Sequence, residues 1–134
     1  MNENKELDCH KFQTKVNDLL IRHRSILDIL TKYQESNSRV NRSVAKTVTN
    51  CGCLEVTATK KEIPQEARLD ELKNYTETHV EGGLCDNCRE IVEMELGNNL
   101  FYVAALCNIL GLDLQEVLEQ EYKKIATLGR FNLS

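Results

Sequence analysis

The chain has 134 residues, of which 41% are hydrophobic, 28% charged and 5% aromatic, with one proline and no tryptophan. An apolar share of that size, spread along the chain, offsets conformational entropy; it excludes general disorder and predicts one compact soluble domain. The formal charge of −4, from 17 Lys/Arg against 21 Asp/Glu, argues against a general nucleic-acid binder, which needs a net basic surface to displace phosphate counterions.

Residues 1–8 read as a flexible N-terminus, and 9–134 as a single helical domain with a cysteine-rich insertion around 50–88. The start of the chain is polar and acidic and lacks the basic-then-apolar arrangement of a signal peptide, so a cytoplasmic location with reduced thiols is expected. No charge-free run approaches the roughly 20 apolar residues that span a bilayer, and no membrane helix is expected.

From Phe12, the residues Phe12, Val16, Leu19, Leu20, Ile26, Leu27 and Leu30, with His23 filling the gap, have the spacing of one helix face and predict a first helix ending near Tyr33. Gln34 to Ser38 reads as a turn. Val40, Val44 and Val48 then recur at four-residue steps and predict a second, shorter helix. Its polar face carries Arg39, Arg42 and Lys46, the candidate phosphate contacts. These belong to a basic segment, His10 to Thr49, with eight Lys/Arg against three acids; from Glu81 to Glu121 nine acids face Arg89 alone. Such halves attract each other within a chain or across a dimer.

After Asn50, Leu54 to Thr59 alternates and is β-branched, which suits a short strand or knuckle. Pro64 is placed to open a weak helix through Tyr75, and Gly82-Gly83 marks a break. A long helix is predicted from about Asp86 to Gly111, with Ile91, Leu96, Leu100, Val103, Cys107 and Leu110 as core. A last helix, capped by Asp113, carries Leu114, Val117, Leu118, Ile125 and Leu128 on one face. The sum is an all-α bundle of four to five helices with a short cysteine-rich knuckle between them.

Six cysteines exceed what packing needs. Four form two tight pairs, Cys51-x-Cys53 and Cys85-x-x-Cys88, each beside a helix end and near glycine, so that both pairs can turn their sulfurs toward one centre. That is the requirement of a tetrahedral thiolate site for Zn²⁺, and a four-thiolate sphere is closed and structural. Two other readings compete: four unrelated thiols, or a redox pair at Cys85 and Cys88, for which the accompanying βαβ pattern is missing.

The stretch Glu95-Leu96-Gly97-Asn98-Asn99-Leu100-Phe101-Tyr102 through Leu112-Asp113-Leu114 resembles the second half of the MazG-like family of all-α nucleoside triphosphate pyrophosphohydrolases, over about Glu90 to Ile125. The resemblance implies a helical dimer and a nucleotide ligand. It also implies a signature, EExxE on one helix and ExxD on the next, that converges on Mg²⁺ and the triphosphate. Glu95 matches the first position of ExxD, but the fourth is Asn98, and no EExxE occurs between Phe12 and Asn50. The helix that should carry it is the basic one at Arg39 to Lys46. Glu90 and Glu93, one turn upstream, are the candidate substitutes for Mg²⁺ binding, or else a solvated acidic face. Weak or lost catalysis follows. The alternative is a zinc-stabilised, non-catalytic module that recognises phosphate, nucleic acid or a protein partner.

Overall fold

A computed structural model describes residues 7–20 and 24–132 of the chain, and the side chains up to Leu128. The order is α1 (Cys9–Leu19), α2 (Ile26–Lys46), β1 (Leu54–Val56), β2 (Val80–Gly82), α3 (Asp86–Leu110) and α4 (Leu114–Asn132). The molecule is mostly helical, with one two-stranded sheet. Local caps explain the helix limits. Asp8 accepts the Lys11 N–H at 2.9 Å, Ser25 accepts the Leu27 N–H at 3.2 Å, and Asp113 accepts the Gln115 N–H at 2.9 Å. Gly111, at φ +69°, closes α3 by donating back to Asn108 and Cys107.

Helices α2 and α3 form the main pair and run antiparallel. Ile29 meets Ala104 and Ala105 at one end, Ser36 meets Asn99 in the middle, and Cys51 meets Cys85 at the other end. The apolar core sits at the first of these ends, where Val16, Leu20, Ile29, Ala104 and Ala105 are buried and Phe12, Phe101, Leu106 and Leu114 pack around them. Gln13 ties α1 to the start of α4: its amide donates to Leu112 O and accepts the Leu114 N–H. Toward the other end the seam turns polar. Ser36, Ser43, Thr47 and Glu95 are all buried there.

Several expectations are corrected. Helix α1 ends at Leu19 and α2 begins at Ile26, both earlier than expected, and the stretch Gln34 to Ser38 lies inside α2 rather than in a turn. Ser36 donates to Tyr33 O at 2.7 Å and accepts from the Asn99 amide at 3.0 Å, while Asn37 accepts from the same amide. Of the polar residues that resemble a turn, Ser36 and Asn37 therefore lie on the inward face of a helix, while Gln34, Glu35 and Ser38 are exposed on its outer side. The long helix also buries a different stripe. Of the expected core, Cys107 is buried and Val103 half-buried, but Ile91, Leu96, Leu100 and Leu110 are exposed, and Cys88, Val92, Glu95, Ala104 and Ala105 are buried instead. Apolar residues of α3 fall on more than one side, interleaved with charged ones, so spacing alone does not say which stripe faces α2. On α4 only Leu114 of the expected stripe reaches the core; Val117, Leu118, Ile125 and Leu128 are exposed.

Pro64 opens no helix, and the segment contains only a 3-10 turn at Leu69–Asn74. The expected strand is shorter, and it pairs antiparallel with β2, which was not anticipated. The expected loose N-terminus and His23 fall largely or wholly outside the described residues. No single helix among the described residues is long and apolar enough to cross a membrane; α3 and α4 pass that test only as a pair bent by 108°.

Asn99 supplies two of the cross-seam hydrogen bonds. Replacing it with alanine strands the Ser36 and Asn37 oxygens and is expected to cost about 1 to 2 kcal/mol, read as a lower urea midpoint with an unchanged slope.

Candidate metal centre

The two cysteine pairs meet because the helices carrying them are antiparallel. Cys51 ends a π-type turn, Thr47–Cys51, that continues α2; Cys85 and Cys88 open α3. The widened turn has a chemical cause. Thr47 Oγ1 donates to Val44 O and Thr49 Oγ1 to Ala45 O, so side-chain hydroxyls take up carbonyls of the last α-helical turn. Gly52 then adopts φ +82°, its N–H closing on Thr47 O at 2.7 Å, and Cys53 swings back toward the cluster.

The four ligand sulfurs of Cys51, Cys53, Cys85 and Cys88 lie within 4.8 Å of one another, and Cys51 and Cys85 are 3.8 Å apart. Four sulfurs at about 2.3 Å from one tetrahedral ion are about 3.8 Å from each other. The four can therefore hold one metal ion. They form the one group of three or more His, Cys, Asp or Glu with converging ligand atoms among the described residues. His79 is not part of it; its Nδ1 accepts the Thr59 N–H in the hairpin.

The thiols do not titrate alike. The Cys88 backbone N–H, pointing from the start of α3, donates to Cys85 Sγ at 3.4 Å and draws the Cys85 thiol down to about 7. Its neighbours then resist ionising: Cys88 is pushed up to about 12, first by its hydrogen bond with Cys85 and then by burial. Crowded thiolates repel, and a cation among them removes the conflict.

The hairpin clips the loop to the cluster. Strands β1 and β2 place Leu54 opposite Gly82, Glu55 opposite Glu81 and Val56 opposite Val80. Facing glutamates weaken a ribbon that is marginal at this length. Gly82, at φ +86°, lies so close to Cys53 that a Cβ there would sit 2.4 Å from its carbonyl oxygen.

The other candidate residues lie along the same seam. Glu95 is buried and accepts from Arg39 Nε at 3.1 Å, while Arg39 also reaches Glu35 at 3.7 Å. Arg39, Arg42, Ser43, Lys46, Ile91 and Glu95 line a cleft of about 220 Å³. Among the described residues no acid lies within ion-pair distance of Arg42 or Lys46. The four residues expected at a Mg²⁺ site are not brought together. Asn98 borders a separate cleft with Lys32, Glu35 and Tyr102. Glu90 and Glu93 are exposed, and Glu93 stands two residues, about 200° of helix turn, from Glu95. The Arg39–Glu95 pair and the Gly82 contact join residues far apart in sequence, and the only prior signal for either was residue type. No family model, curated protein or solved structure matches this chain.

Purified protein is expected to carry one metal ion per chain by elemental analysis. Cys88→Ser should reduce that content and lower the melting temperature, and Gly82→Ala should weaken metal retention through its clash with Cys53. Full metal content in both variants would contradict the site.

Proposed function

We propose that the cysteine site holds one structural Zn²⁺, and that the chain is a catalytically silent relative of the MazG-like pyrophosphohydrolases that binds a phosphate-bearing ligand without cleaving it. Zinc is favoured by the donor set: four soft thiolates close a tetrahedral sphere and leave no position for water. The ion's work is then to staple the Cys51 loop to the start of α3.

The observation that carries the rest is the Arg39–Glu95 ion pair. Pyrophosphohydrolysis of the kind implied by the resemblance needs Mg²⁺ clamped between carboxylates on facing helices, to neutralise the triphosphate and generate an attacking water. Here the facing helix offers cations. A guanidinium occupies the carboxylate, and the cleft has three basic side chains around one acid. Such a cleft attracts phosphate directly, through Arg42 and Lys46 as charge-assisted donors. The net charge of −4 favours a small anion, such as a nucleotide, over a long nucleic acid.

Two measurements test this. Pyrophosphate release from a panel of nucleoside triphosphates with Mg²⁺ or Mn²⁺ is expected to stay at background, for the native chain and for Asn98→Asp. Calorimetric titration with ATP and inorganic pyrophosphate is expected to show binding that falls at least about tenfold when Arg42 and Lys46 are both alanine. Robust turnover abolished by Glu95→Gln would overturn the silent site; absence of binding by either anion would overturn the ligand class.

A further inference from the structure

The four thiols of the metal centre are not equally shielded. Cys51 is exposed, Cys53 and Cys85 are half-buried, and Cys88 is buried. Cys53 Sγ also points back along the turn, toward Thr47 O at 3.9 Å. A solute therefore meets the centre at Cys51, and the Cys85 sulfur stands 3.8 Å from it. The sulfurs of a disulfide are about 2.05 Å apart, so each has to move by only about 0.9 Å. Both residues sit where the backbone can give: Cys51 is the last residue of the π-type turn after α2, and Cys85 is the N-cap of α3. Closure shifts a turn and a cap rather than the interior of a helix.

We propose that Cys51 and Cys85 form a reversible disulfide when the chain meets a hydroperoxide, and that its formation expels the metal ion. Expulsion rests on the metal reading above; the cross-link does not. A metal-bound thiol is already deprotonated, so the Cys51 sulfur attacks one peroxide oxygen, the O–O bond breaks, and the leaving hydroxide takes a proton to become water. Cys85 then attacks the sulfur of the resulting sulfenic acid: the S–S bond forms, the S–O bond breaks, and a second water leaves. The two sulfurs lose two electrons, hydrogen peroxide is reduced to two waters, and the two protons come from solvent. Cys53 and Cys88 alone remain as thiol donors, too few to close a tetrahedral sphere, and the ion departs. The new bond joins the two points that the ion joined, the end of the turn after α2 and the start of α3. The helix pair stays fastened while the metal is lost.

Peroxide treatment tests the proposal, with metal content measured before and after and the thiols mapped by tryptic mass spectrometry. Trypsin leaves Cys51 with Cys53 on the peptide 47–60, and Cys85 with Cys88 on the peptide 74–89. Hydrogen peroxide is expected to join these two peptides and to release about one metal ion per disulfide formed, and a thiol reductant to undo the link. The double variant Cys53→Ser with Cys88→Ser keeps only the proposed pair at the centre and is expected to form the same link. Cys51→Ser is expected to lower the yield of linked peptides at least about tenfold, with helical circular dichroism confirming that each variant is folded. The oxidised, metal-free chain is expected to melt above reduced chain stripped of metal by a chelator. A disulfide confined to the peptide 74–89, four thiols that stay open to alkylation after peroxide, or a link formed with the metal retained would each overturn the proposal. A native chain that purifies without metal would overturn the metal reading alone, because the link between the two peptides is read in the same way in its absence.

Discussion

Four sulfur atoms within 4.8 Å of one another cannot all carry negative charge unless a cation stands among them, and much of the local structure is arranged around that electrostatic fact. The π-type turn after α2, the left-handed Gly52, the close pass of Gly82 over Cys53 and the opening of α3 at Cys85 each carry a thiol to one point. The hairpin that completes this arrangement is marginal at its length. The hairpin even sets Glu55 against Glu81, a pairing that an unsupported ribbon would not hold. With an ion held among the four thiols, ligation energy would act as folding energy at this end of the molecule. At the opposite end of the helix pair, burial of Ile29, Val16 and the paired alanines does the equivalent work through the hydrophobic effect.

Between the two ends lies a seam that is polar by composition. Ser36 and Ser43 on α2 and Thr47 in the turn that continues it recur at steps of seven and four, and each hydroxyl donates to a carbonyl three residues back. Small, internally satisfied side chains let α2 and α3 approach closely while leaving no orphaned donor; no buried side-chain nitrogen or oxygen lacks a partner among the described residues. The cost is that little apolar surface is removed from water along this stretch, which leaves the hydrophobic residues of α3 facing outward.

What the sequence revealed follows from which forces are local. Helix α3 was legible to within a residue, from Asp86 to the stop at Gly111, because caps and glycine stops are short-range devices; the Asp113 cap of α4 was legible for the same reason. The cysteine cluster was also legible, since paired short spacings beside glycines constrain where the sulfurs point. The α2 boundary was not. Ser36 and Asn37 look like turn residues, and only their partner Asn99, 63 and 62 positions away, explains why they are helical. The core stripe of α3 is not legible, because its apolar residues lie on more than one face and periodicity cannot choose between them. The Arg39–Glu95 contact was invisible for a related reason: charges on separate helices become a pair only once the register is known.

That register explains the ion pair better than its energy does. A buried salt bridge loses so much hydration that an apolar pair of similar volume is often as stable. Helices α2 and α3 carry small or apolar side chains at many positions, so sliding one past the other by a turn would cost little in burial. A one-turn slip of about 5.4 Å would, however, separate Arg39 from Glu95 and leave the buried carboxylate without its guanidinium. It would also break the Asn99 bonds to Ser36 and Asn37. The displacement exceeds the 4.8 Å that spans the four sulfurs, so the same slip would open the metal centre. The polar contacts in the seam thus specify the one alignment in which the thiols converge. The Arg39 guanidinium acts as a lock on the helix pair.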